Sequence, residues 1–122
     1  MGRIDKILLV ILILIAGFTR LWRISDYMTF LGDEGRDITV VRDIIKGDKY
    51  TLIGPGTSIG QMYLGPWYYY LMIPSVALSN FSPQGPAVMI ALFSVATTIL
   101  LWWISRVWFG VLPSWLTSFI YA

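Results

Sequence analysis

The chain of 122 residues has no cysteine and no histidine. Without thiols there is no disulfide framework, no thiolate nucleophile and no Cys/His zinc site, and the redox compartment leaves no mark on the composition. Without imidazole, the commonest general base and the commonest metal ligand are missing, so both tasks fall to carboxylates. Charge is scarce as well: nine Lys and Arg and seven Asp and Glu make up 13% of the residues. Twelve of these sixteen charges lie between Arg20 and Lys49, and none lies between Tyr50 and Ser105. A soluble fold cannot cover its surface with so long an uncharged stretch, and 57% of the chain is hydrophobic. Most of it is therefore expected in lipid. The net charge of +2 comes from interleaved acids and bases with no basic stripe, which argues against a nucleic-acid partner.

The pattern predicts an all-α integral membrane protein with three transmembrane helices, a partial fourth, and an amphipathic juxtamembrane helix in the first loop. The first span runs from about residue 4 to 22, its apolar run Ile7 to Phe18 extended into the interface by Leu21, Trp22 and a snorkelling Arg20. A cleaved signal peptide is disfavoured, because Thr19 and Arg20 stand where a small-x-small cleavage site belongs. A second span covers 61–79 and opens on the aromatic cluster Trp67 to Tyr70, and a third covers 87–109. A fourth apolar segment begins at Pro113 and is too short at Ala122 to cross a bilayer, so the chain reads as the N-terminal portion of a longer membrane protein or a truncated product.

Residues 23–60 form the polar loop. Within it Ile38, Val41 and Ile45 recur at i, i+3 and i+7, supported by Val40 and Ile44, which predicts a helix over Asp33 to Lys46. Asp33 suits the N-cap, Glu34 the first turn and Gly47 the left-handed position after the last turn. On that helix Asp33, Arg36 and Asp37 share one side. Two adjacent carboxylates beside a membrane suit proton abstraction, and a guanidinium suits bidentate grip of a phosphate. The bland reading makes Asp33 a cap and Arg36 its solvated partner. Asp33 with Glu34 or Asp37 could hold a divalent cation, although no cofactor is required. Gly54 to Gly60 lacks the Gly-Lys-Ser/Thr of a Walker A loop and reads as a connector. Trp67 to Tyr70 suits an interfacial anchor better than a sugar-stacking platform, and Trp102 and Trp103 suit lipid contact or packing. Orientation stays open: the distribution of Lys and Arg alone would place the 23–60 loop in the cytoplasm.

The order of these features resembles the N-terminal end of the GT-C glycosyltransferase superfamily, in particular the protein O-mannosyltransferases and the lipid A aminoarabinose transferases. Their Asp-Glu pair in the first extracytoplasmic loop is matched by Asp33 and Glu34, and an Asp-Glu-x-Arg element by Asp33, Glu34 and Arg36. A Gly-Pro element with aromatics at the second span is matched in part by Gly65, Pro66 and Tyr68. The resemblance implies a polyprenyl-phosphate-linked sugar donor, an acceptor hydroxyl on a protein, lipid or glycan, and inversion at the anomeric carbon. It also implies a plasma-membrane location with the loop outside the cytoplasm. Asp33 would be the base, Glu34 its orienting partner, and Arg36 the group that steadies the leaving phosphate, with Asp37 and Tyr68 also binding substrate. Where many members carry Lys before the proline, this chain has Gly65, so Arg42, Lys46 or Lys49 would have to substitute. The alternatives are a small non-catalytic membrane protein and a transporter of polyprenyl-phosphate carriers.

Overall fold

The computed structural model describes residues 3–122, and among them every regular element is helical: α1 (Arg3–Leu21), α2 (Ile24–Tyr27), α3 (Gly32–Lys46), α4 (Trp67–Leu78), α5 (Gln84–Phe109) and α6 (Val111–Tyr121). The chain forms two compact bodies. One is Ser25–Met89; the other combines the chain up to Ile24 with Ile90–Ala122, so α5 contributes its first turns to the former and the rest to the latter.

In the first body α3 packs on α4. The buried residues of α3 are Asp37, Val41 and Ile44, and those of α4 are Tyr69, Met72 and Val76. Both sets follow helical spacing, so each helix presents one stripe to the other. Val41, Ile44, Tyr69, Met72 and Val76 form the hydrophobic cluster, with Ile38, Ile45 and Met89 at its edge. Each buried aliphatic side chain there contributes about 1.5–3 kcal/mol. Helix α3 ends as its sequence requires: Gly47 takes φ 78°, its N–H donates to the Ile44 carbonyl at 3.1 Å, and the Asp48 N–H donates to Asp43 at 3.0 Å. That is a Schellman closure. Its start differs from expectation. The cap is Leu31, not Asp33, and the Glu34 carboxylate accepts the Leu31 N–H at 2.9 Å. Leucine has no side-chain oxygen to return the bond, so only half a capping box forms.

Between α3 and α4 the chain makes an irregular hairpin. Gly56 pairs antiparallel with Tyr63, Gly54 N–H donates to Leu64 O at 3.0 Å, and Leu64 N–H donates to Pro55 O at 2.9 Å. A Cβ on Gly54 would collide with the carbonyls of Leu64 and Gly65, so the strands approach this closely only because position 54 is glycine.

The second body inverts the usual arrangement. Its buried side chains are mostly small or hydroxylic, Ala16, Ala91, Thr98, Ser105, Ser114 and Ser118 among them, while Ile7, Leu14, Phe18, Leu100 and Trp108 face outward. The hydroxyls of Thr98, Ser114 and Ser118 donate to carbonyls of their own helices at 2.6–3.1 Å, which satisfies them without water. Small residues at helix contacts are the packing habit of lipid-embedded helices. Arg20, expected to snorkel outward, is half-buried: its Nε donates to Ser94 Oγ at 2.6 Å, and its guanidinium lies 5.3 Å from the Tyr121 ring centre.

One expectation is overturned. Among the described residues only α5 is long and apolar enough to cross a membrane, not three helices with a partial fourth; it has 26 residues, and its most apolar 18-residue stretch has a mean hydropathy of 2.2. At 1.5 Å per residue it reaches about 39 Å, against roughly 30 Å of hydrocarbon. Helix α1 has 19 residues, but Arg3, Asp5, Lys6 and Arg20 load its ends with charge. Helix α4 has only 12, because residues 61–66 belong to the hairpin and the turn after Leu78 puts Asn80 and Phe81 at positive φ. Helix α6 has 11 and is divided from α5 by Gly110 at φ 91°.

Gly47→Ala should destabilise the protein by about 1–2 kcal/mol, the cost of a left-handed non-glycine residue. Denaturant unfolding reads the loss, and faster exchange of the Asp48 amide locates it at the end of α3.

Candidate functional site

The expected cluster forms on α3, with a division of labour that spacing could not show. Arg36 Nη1 lies 3.1 Å from Asp33 Oδ1, while its Nη2 and Nε donate to Asp37 Oδ1 at 3.0 and 3.2 Å. One guanidinium thus joins two carboxylates. Their surroundings are opposite: the Asp33 side chain is 83% exposed and that of Asp37 is 9% exposed. The difference follows from helical phase. Asp37 is four residues before Val41 and shares its buried stripe, whereas Asp33 lies one turn earlier, beyond the reach of α4.

Helix α4 supplies the third partner of Asp37. The Tyr69 hydroxyl donates to Asp37 Oδ1 at 3.4 Å from a buried ring. Tyr69, not singled out from the sequence, is thus a further candidate beside Tyr68; its signal is the stripe Tyr69, Met72, Val76, at i, i+3 and i+7. Tyr68 stands beside it, partly exposed, in the field of Asp37 and Glu34. Burial first, and the negative charge of Asp37 second, push both phenols above the ordinary tyrosine range, so they remain protonated donors. The hydrogen bond to Asp37 pushes the Arg36 guanidinium up as well, and it stays charged.

Glu34 is engaged elsewhere, holding the Leu31 N–H at the start of α3. Arg36 uses three of its five N–H groups on carboxylates, and two remain for another acceptor. The three charged groups together sum to −1, which suits abstraction of a proton better than capture of a phosphate. Among the described residues no group of three or more Asp or Glu is placed to hold a metal ion.

A cavity of about 260 Å³ opens beside this network, lined by Val40, Asp43, Lys49, Thr51, Gly54 and Tyr69, among others. Tyr69 therefore faces two ways, its hydroxyl to Asp37 and its surface to the cavity. Of the basic residues considered as substitutes at Gly65, Arg42 lies 3.7 Å from Asp43 and Lys49 lines the cavity. Compared with protein-family models, curated proteins and solved structures, the chain finds no match.

The raised phenol pKa values set a pH dependence. The folded state binds protons that the unfolded state has released, so this contribution is complete below the ordinary tyrosine pKa of about 10 and is lost as pH rises through the folded values. Denaturant unfolding should show stability falling above that pH, and Tyr69→Phe should flatten the fall. At neutral pH the same variant should lose about 0.5–1.5 kcal/mol, the worth of one hydrogen bond.

Proposed function

We propose that this chain is part of a membrane-associated glycosyltransferase resembling the GT-C superfamily. It moves a sugar from a polyprenyl-phosphate donor to an acceptor hydroxyl with inversion, at the extracytoplasmic face of a membrane crossed by α5. The observation that carries the reading is the shared guanidinium: Arg36 holds a buried carboxylate, Asp37, and an exposed one, Asp33, within 3.0–3.1 Å. The buried member anchors the pair, and the exposed member keeps an oxygen for an incoming alcohol. Asp33 takes the proton from the acceptor hydroxyl as that oxygen bonds to the anomeric carbon, and the carbon–oxygen bond to phosphate breaks with its electrons going to phosphate. Arg36 orients Asp33, and its two remaining N–H groups steady the departing oxygen. Tyr68, exposed on the neighbouring helix, contacts the sugar. The outward-facing aliphatic side chains of the second body, with its hydroxylic interior, support placement in lipid.

A non-catalytic membrane protein is the second reading. It is favoured by Glu34 and Asp37, both already engaged in holding α3 in place.

Transfer of labelled sugar from a polyprenyl-phosphate donor, assayed in membranes carrying the full chain, separates the two. Asp33→Asn should slow transfer by about 10²–10⁴-fold, the usual contribution of a general base. A near-normal rate in that variant removes Asp33 as base, and no transfer by the unaltered full-length protein favours the second reading; this chain by itself is expected to be inactive. Sidedness is readable because the chain has no cysteine. Thr29→Cys, exposed in the same loop and outside the 50–67 hairpin, should react with an impermeant maleimide added outside intact cells.

A further inference from the structure

The hairpin between α3 and α4 has a surface that neither the catalytic reading nor its own packing explains. Leu52 is 86% exposed, Ile59 79%, Met62 65%, Leu64 57% and Trp67 81%. Scattered apolar residues on a surface are ordinary, but these five fall within sixteen consecutive residues that contain no charge. Such a patch marks a contact with a partner or a membrane. The backbone is prepared for a semi-polar setting: Gly54, Thr57 and Leu64 donate their N–H groups across the hairpin at 2.9–3.0 Å, so its middle needs little water. Trp67 and Tyr63, both exposed, are the side-chain types that settle at the level of lipid head groups.

The charges next to the patch select the kind of surface. Lys46 closes α3 and Lys49 leads into the hairpin, and both are exposed. The ammonium of Lys49 makes no ion pair among the described residues and lines the 260 Å³ cavity with Thr51 and Tyr69. Asp43, which also lines it, already has Arg42 at 3.7 Å, so the uncompensated charge at the cavity is positive. The volume falls below the roughly 300–1,000 Å³ of drug-sized sites, which suits a head group and not a whole lipid.

We propose that the 50–67 hairpin docks into the interface of an anionic bilayer, with its apolar side chains among the upper acyl chains and Lys46 and Lys49 on lipid phosphates, the latter at the mouth of the cavity. This goes beyond sugar transfer and holds whether or not the protein is an enzyme. Docking of this kind fixes the start of α4, and with it Tyr69, at a set depth relative to the head groups.

The test uses the whole chain carrying a single cysteine, Ile59→Cys, labelled with an environment-sensitive nitrobenzoxadiazole dye. Ile59 is mostly exposed, so the label disturbs no packing. In vesicles of phosphatidylcholine with phosphatidylglycerol the dye should shift to the blue, resist aqueous iodide, and be quenched by lipids spin-labelled near the head group. In phosphatidylcholine alone the shift should shrink. Lys49→Gln and Lys46→Gln should each lower the docking equilibrium constant about fivefold in the anionic vesicles, a single lysine's usual share of attraction to an anionic surface. Lys49→Arg should restore it. Three results would overturn the proposal: equal iodide access in every vesicle, protection that rises with protein concentration and ignores lipid composition, which would mean a second copy covers the hairpin, or a charge dependence abolished by millimolar inorganic phosphate, which would make Lys49 a site for free phosphate. Loss of transfer activity in Asp33→Asn leaves all of these readings unchanged, so the two proposals fail separately.

Discussion

A carboxylate on the buried face of a helix organises the first body. Removing Asp37 from water without partners would cost several kcal/mol, enough to rotate or unfold a 15-residue helix. Here the cost is offset by two N–H bonds from Arg36 and one O–H bond from Tyr69. Because Arg36 comes from the same helix and Tyr69 from α4, the network sets the phase of α3 and the register of α4 together. A shift of either helix by one residue would break the Tyr69 bond and leave Asp37 with Arg36 alone. The exposed position of Asp33 is a consequence of this lock: with Asp37 turned inward, a residue four positions earlier is carried past the end of α4.

The two bodies use one alphabet in opposite ways. In Ser25–Met89 the core is Val41, Ile44, Tyr69, Met72 and Val76, and every charge but that of Asp37 lies outside it. In the other body the interior is Ala16, Thr98, Ser114 and Ser118, with leucine, isoleucine, phenylalanine and tryptophan outward. Hydrophobic burial contributes less there, since most large apolar side chains, Leu12 and Trp102 excepted, remain uncovered. Close approach across small residues, the ion pair of Arg106 with Asp5 at 3.2 Å, and the tilted contact of Trp102 with Trp115, ring centres 5.7 Å apart, add to it. Two donors inside it, Trp102 Nε1 and Arg106 Nη1, are buried without an acceptor among the described residues.

How much of this could be read in advance differs from element to element. Helix α3 was legible because its aliphatic stripe, its acidic first turn and its closing glycine agree, and α5 because its apolar run is long and lies beyond the last cluster of charges. The length of α4 was not. Residues 61–66 are uncharged like those that follow, and although Gly65 and Pro66 punctuate them, the pairing of Gly56 with Tyr63 across the hairpin is what assigns them to it. Composition also overcounted membrane spans, since an uncharged stretch states what a segment can tolerate and not whether it is one straight helix. At the site, the proximity of Asp33, Arg36 and Asp37 follows from helical spacing alone. The contrast in their exposure, and the part played by Tyr69, required α4.

The sequence by itself determined the helical class, the concentration of charge in one segment, the glycine-closed end of α3 and the reliance on carboxylates where histidine and cysteine are absent. These follow from local propensities and side-chain chemistry, which act over a few residues. Which aspartate is buried, which tyrosine meets it, where a cavity opens beside Lys49 and how many helices are long enough to cross a bilayer were decided by tertiary structure. Each depends on contacts between segments about twenty or more residues apart or on where a turn closes, and helical periodicity carries no information over that distance.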